Sequence, residues 1–89
     1  MATIVVLHRV SDYDAWREVY DGFAGFQRSN GVIEESVHRA KDDPNNLLVL
    51  HKFNTMDEAE SFVASSELRE TMQAAGVEGE PQIEFYEDA

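Results

Sequence analysis

The sequence predicts a single α+β domain, residues 1–89, built in the order β-α-β-β-α-β. Three observations carry that expectation. Four stretches rich in β-branched and apolar residues read as strands, and two others hold apolar residues at i, i+3, i+4, i+7 spacing. A short polar turn joins the second and third strands directly, so those two form a hairpin.

Residues 2–10 (ATIVVLHRV) contain no breaker and form the first strand. Ser11 or Asp12 then caps a helix that begins near Tyr13. Its inner face carries Trp16, Val19, Tyr20, Phe23 and Phe26 as one wide aromatic stripe. Gly22 and Gly25 weaken this helix locally, and Asn30-Gly31 ends it. Residues 32–40 (VIEESVHRA) and 46–54 (NLLVLHKFN) are the next strands, connected through Asp42-Asp43-Pro44-Asn45. Thr55 resembles an N-cap, with Glu58 three residues on as its capping-box partner. Ala59, Phe62 and Val63 face inward from the helix it opens; Ser65-Ser66 restarts that helix with a bend, and Leu68, Met72 and Ala75 extend the apolar face to Gly76. After Gly79 and Pro81, residues 82–87 (QIEFYE) alternate as the last strand.

This order is the split pattern of ferredoxin-like folds. Right-handed crossovers place both helices on one face of a four-stranded antiparallel sheet. The strands, however, are apolar on both sides. Ile4, Val6 and His8 alternate with Thr3, Val5 and Leu7, and Val49 and Phe53 with Leu48 and Leu50. Two helices cover one face only, so the other is an exposed apolar patch unless a second copy covers it. A homodimer with its two sheets packed face to face and the helices outside is the expected solution.

The register of the hairpin decides which side chains share a face. A four-residue loop pairs Lys41 with Asn46, which groups Glu34, Ser36, His38, His51 and Phe53 on one side. Ile33, Val37, Leu48 and Leu50 then form the other and cleaner helix-packing surface. A five-residue loop reverses the parity of one strand.

Composition limits the partners. Eighteen acidic residues against seven basic ones give a net charge of −11, which repels nucleic acid and anionic membranes. Only Lys41 and Lys52 are lysines, a balance that fits either salt adaptation or an ordinary acidic protein. There is no cysteine, hence no disulfide and no thiolate chemistry. Apolar runs such as Ile4–Leu7 are too short to span a bilayer, and a cytoplasmic location is the default expectation.

His8 ends an apolar run and is the first candidate for a general base near neutral pH; the alternative is a core-edge histidine tied to backbone. His38, His51 and Phe53 join it as candidate pocket residues on the sheet. Trp16, Tyr20 and Phe23 supply the walls of a pocket for a flat aromatic ligand, with Tyr86 as a hydroxyl donor; packing as core is the competing explanation. Arg9, Arg17 and Arg39 can anchor an anion or pair with the many acids. Nothing has zinc-site spacing, and no phosphate-binding glycine loop or dinucleotide fingerprint is present, so neither a metal nor a nucleotide cofactor is expected.

Three segments carry a family resemblance: HRVSDYDAW, the DDPN turn followed by LLVLHKF, and EAESFVASSELRETMQAAGVEGEP. Together they resemble the small dimeric α+β barrel proteins that include antibiotic-biosynthesis-monooxygenase-like and polyketide cyclase-like members. The resemblance covers nearly the whole chain. It implies a pocket between sheet and helices that takes a flat hydrophobic molecule, and oxidation of anthrone-type phenols by O2 without metal or flavin. It carries forward His8, Trp16 and Tyr86 as catalytic residues. Haem-degrading relatives use a histidine, an asparagine and a tryptophan in an arrangement that does not map here, because Trp16 lies on the first helix. Expected, then, is a cofactor-independent monooxygenase-like or cyclase-like enzyme for an aromatic or polyketide-like molecule. The rivals are a small-ligand-binding or stress-response module and a purely structural dimer.

Overall fold

Alternating inward and outward side chains organise the whole chain in the computed structural model, which describes all 89 residues. Strand β1 (Ala2–Val10) buries every second residue: Ala2, Ile4, Val6, His8 and Val10. Strand β3 (Asn46–Phe53) does the same with Leu47, Val49, His51 and Phe53. They pair antiparallel at the centre of a sheet completed by β2 (Glu34–Arg39) and β4 (Val77–Glu87), in the order β2-β3-β1-β4.

Each crossover helix is broken into two. The first gives α1 (Tyr13–Gly22) and α2 (Ala24–Ser29), the second α3 (Met56–Ala64) and α4 (Ser66–Ala74). Asp12 caps α1 by accepting the Asp14 N–H at 3.1 Å. Thr55 caps α3: its Oγ1 accepts the Glu58 N–H at 3.2 Å and donates to Glu58 Oε1 at 3.2 Å. The break at Ser65 falls where the serine pair suggested it, with Ser65 in extended backbone. All the helices pack on the same face. The core gathers Ile4, Val10, Leu47 and Phe53, each almost without exposure, beneath Trp16, Tyr20, Ala59 and Phe62.

Two expectations need correction. The hairpin loop has five residues, because Ala40 rather than Lys41 closes it, donating its N–H to the Asn46 carbonyl at 2.8 Å. Within the loop the Asp43 side chain accepts from the Asn45 N–H at 3.1 Å and from the Arg9 Nε–H at 2.9 Å. Val37 therefore lies opposite Val49 and Glu35 opposite His51. The helices pack on Val37, Val49, His51 and Phe53, while Leu48 and Leu50 lie on the uncovered face. Strand β4 also begins earlier than residue 82. It starts at Val77 opposite Val10 and absorbs Gly79, Glu80 and Pro81 as a bulge between the Leu7 and Arg9 pairings. β4 is an edge strand, where a proline and a bulge are tolerated.

Gly76 turns the chain from α4 into β4 at φ +82, and a Cβ there would meet Ser11 Oγ at 2.7 Å. Gly76→Ala is expected to destabilise the fold by about 1–3 kcal/mol, the usual cost of forcing a side chain into left-handed backbone. Denaturant titration checks this; an unchanged midpoint would show that the turn relaxes.

Candidate functional site

The pairing of β1 with β3 sets out the floor of a cleft. Val6 lies opposite Val49, Ile4 opposite His51, and His8 opposite Leu47. On the helix side two valines thus separate two histidines. The roof comes from α1, where Trp16 and Tyr20 sit one turn apart, from Phe23 at its C-cap, and from Leu68, Thr71 and Met72 of α4. Gln27 of α2, buried, closes the His51 end. Rings run along the roof and ends in sequence: His8 to Trp16 at 5.7 Å, Trp16 stacked on Tyr20 at 4.7 Å, Tyr20 to His51 at 6.0 Å. The free volume is about 50 Å³. Drug-sized ligand sites run to several hundred Å³, so the cleft as it stands holds no more than a water or two.

The histidines are in unlike surroundings. His8 is 7% exposed, and neither of its ring nitrogens has a hydrogen-bond partner. Burial lowers its pKa, so the ring is neutral at neutral pH. His51 is 5% exposed, and its Nε2 lies 2.9 Å from the Tyr20 hydroxyl. Burial pushes its pKa down to about 4, against the opposing pull of the Glu35 carboxylate. Tyr20 also donates to Glu35 Oε2 at 3.1 Å, and burial, with Glu35 beside it, pushes the phenol pKa upward.

Of the residues singled out in the sequence, the structure gathers His8, Trp16, Tyr20, Phe23 and His51 around this cleft. Phe53 is instead fully buried core, 5.5 Å from Phe62 ring to ring. His38 and Tyr86 do not join them. His38 is exposed on the uncovered sheet face, its Nε2 3.0 Å from Ser36 Oγ, because the five-residue loop reverses the parity of β2. Tyr86 pairs with Thr3 on that same face and is 52% exposed, so the sheet separates it from the cleft. With the histidines thus divided, no group of three potential metal ligands converges anywhere. The three arginines singled out as anion anchors are engaged: Arg9 with Asp43 and Glu78, Arg17 with Asp21, and Arg39 over the Tyr13 ring at 3.9 Å.

Sequence reasoning missed Glu35, Gln27 and the α4 contribution of Thr71. Glu35 was legible only through the register, as an acid on an inward position of an edge strand. No helix is long and apolar enough to cross a membrane.

Four antiparallel strands with paired crossover helices on one face define a ferredoxin-like α+β fold, here with an apolar cleft closed by histidines at both ends. Solved structures share it along almost their whole length. A conserved protein from Methanosarcina mazei Go1 matches at TM-score 0.79 with 14% identity, over 99% of this chain and 92% of that one. SnoaB, a cofactor-independent oxygenase from Streptomyces nogalater, matches at TM-score 0.79 with 15% identity, over 99% and 92%. A candidate antibiotic biosynthesis monooxygenase from Bordetella bronchiseptica matches at TM-score 0.78 with 15% identity, over 99% and 96%. At such identities the likeness establishes the fold alone. No protein-family model and no curated protein matches the chain.

Two buried ring nitrogens with no partner in the protein weigh against stability. His8→Leu removes them and is expected to stabilise the fold by about 1–3 kcal/mol at pH 7. The gain should grow as pH falls below 6.5, the ordinary histidine value. There the unfolded chain takes up a proton that folded His8, with its lowered pKa, refuses, so the wild type loses this increment on top of the loss that His51 causes in both proteins. Melting temperatures of both proteins at pH 7 and pH 5 test this; a His8→Leu protein less stable than wild type would mean that the ring's packing outweighs its desolvation.

Proposed function

We propose that the chain is a cofactor-independent enzyme, monooxygenase-like or cyclase-like, acting on a flat aromatic or polyketide-like molecule in the cleft beneath Trp16. The observation that carries this reading is His8: a buried, neutral imidazole with both nitrogens free, at the end of an apolar slot. The shared fold with a cofactor-independent oxygenase supports it by analogy. His8 acts as general base and Trp16 covers the ring system, while Tyr20, Phe23 and His51 shape the remainder.

The chemistry is balanced without an added redox group. An anthrone-type methylene gives one proton to His8, and the carbanion, delocalised as an enolate, passes one electron to O2. The two radicals join through a C–O bond, and His8 returns its proton to the peroxide. Loss of the second C–H proton with cleavage of the O–O bond leaves a ketone and one water. The lowered pKa leaves His8 unprotonated and free to accept the proton, and the imidazolium and enolate that result must lie in contact to offset their burial. For a cyclase the same base would generate the enolate that attacks a carbonyl within the substrate.

The uncovered sheet face bears on assembly. Val5, Leu7, Leu48 and Leu50 lie half-buried at its centre, with nothing of this chain over them. A second copy packed there would make the homodimer expected from two-sided hydrophobicity. At −11 per chain such a dimer tightens as salt screens its repulsion. Sedimentation should show a dimer that Leu50→Glu reduces to a monomer; a monomeric wild type in molar salt would end this part of the proposal.

A non-catalytic module that binds through its uncovered sheet face is the second reading, favoured by one observation: the side chains leave only about 50 Å³ in the cleft. Oxygen uptake with an anthrone and no cofactor, in molar salt, separates the two. The enzyme reading expects protein-dependent uptake that falls at least a hundredfold in His8→Ala, the common scale of a lost general base. It also expects kcat/KM to hold constant down to below pH 6.5, because the lowered pKa keeps His8 unprotonated there. Uptake no faster than in buffer would favour the module.

A further inference from the structure

Glu35 lies on an edge strand outside the aromatic stripe, and it governs the far end of the cleft. A carboxylate only accepts hydrogen bonds, and a phenol has a single proton to give. The Tyr20 hydroxyl donates that proton to Glu35 Oε2 at 3.1 Å. Its oxygen, 2.9 Å from His51 Nε2, is then left to accept, so Nε2 is the nitrogen that bears hydrogen. Burial keeps His51 neutral, and a neutral imidazole has only one N–H. Nδ1 is consequently a bare lone pair, buried and without a partner, on a residue that lines the cleft. A buried acceptor without a donor is costly to leave unmet, and a ligand hydroxyl would satisfy it.

We infer that Glu35, acting through Tyr20, sets the tautomer of His51 so that Nδ1 receives a phenolic or enolic O–H of the ligand. His51 is then the specificity-determining acceptor and Glu35 a positioning residue. The inference rests on the reading of this cleft as a small-molecule site and divides labour within it. His8 has no orienting partner and meets the carbon acid, Val6 and Val49 lie under the ring system, and His51 holds a hydroxyl at the opposite end. The same chain of hydrogen bonds excludes a methyl ether at that position, since an ether brings no proton.

The tautomer is readable without any ligand. Long-range 1H–15N spectra of the imidazoles should show His51 protonated at Nε2 in the wild type. In Glu35→Ala the Tyr20 hydroxyl loses its acceptor and turns to His51 Nε2, so the hydrogen should move to Nδ1. Glu35→Gln retains a carbonyl acceptor and should restore the wild-type tautomer. The functional half is read by binding of 2-hydroxyanthraquinone and its methyl ether, neither of which turns over. The wild type and Glu35→Gln should prefer the hydroxyl compound by about tenfold, the scale of one net hydrogen bond, and Glu35→Ala should lose that preference. Hydrogen on Nδ1 in the wild type, or a preference that survives Glu35→Ala, would overturn the inference while leaving the small-molecule site intact. Failure of the wild type to bind either compound would overturn the site and, with it, the role given to His51.

Discussion

The register in which β3 lies against β1 is the constraint on which the rest of the structure depends. Side chains alternate strictly along a strand, so the pairing of Ile4 with His51 and Val6 with Val49 decides two surfaces at once. It places Val6, His8, Val49 and His51 under the helices and Val5, Leu7, Leu48 and Leu50 on the other side. A slip of one residue would turn β3 over against β1, burying Leu48 and Leu50 beneath the helices and turning His51 outward. The register is held by burial, since Ala2, Ile4, Leu47 and Phe53 are all nearly inaccessible in the observed pairing.

Under that sheet the domain accepts a cost that a purely structural core would avoid. Three buried ring nitrogens lack partners, two on His8 and one on His51. In a chain of 89 residues the margin of stability is small, and each orphaned polar group takes a visible share of it. Tyr20 and Glu35 offset part of this cost at one end of the cleft, and nothing offsets it at the other. Such an asymmetry has no packing rationale, which is why it directs attention to ligands.

Charge is handled locally rather than by pairing. Arg9 bridges the hairpin loop to the start of β4 through Asp43 and Glu78, and Arg17 pairs with Asp21 along α1. Most acids have no cationic partner. Several of them stand in the first turns of helices, Asp14 in α1, Asp57 and Glu58 in α3 and Glu67 in α4, where the exposed N–H groups favour negative charge. The closing turns of α1, α3 and α4 carry no compensating base. Mutual repulsion therefore remains a destabilising element that salt relieves.

By itself the sequence determined the elements, because their signals are local. The β-branched runs, a cap at Ser11 or Asp12, the Thr55 cap, the bend at Ser65 and the stripe of Trp16, Tyr20 and Phe23 each depend on residues within a few positions of one another. The ferredoxin-like order follows from these, and so does the two-sided character of β1. Only the tertiary structure decided which histidines meet. His38 and His51 look equivalent in sequence, yet the pairing of β2 with β3 across a five-residue loop sends them to opposite faces. The start of β4 and the position of Tyr86 were likewise settled by pairing with β1 across some seventy residues of sequence. Glu35 gained its place beside Tyr20 in the same way. Local sequence specifies a strand's period, but its phase relative to the core is a property of the whole sheet, set where long-range burial outweighs any single turn.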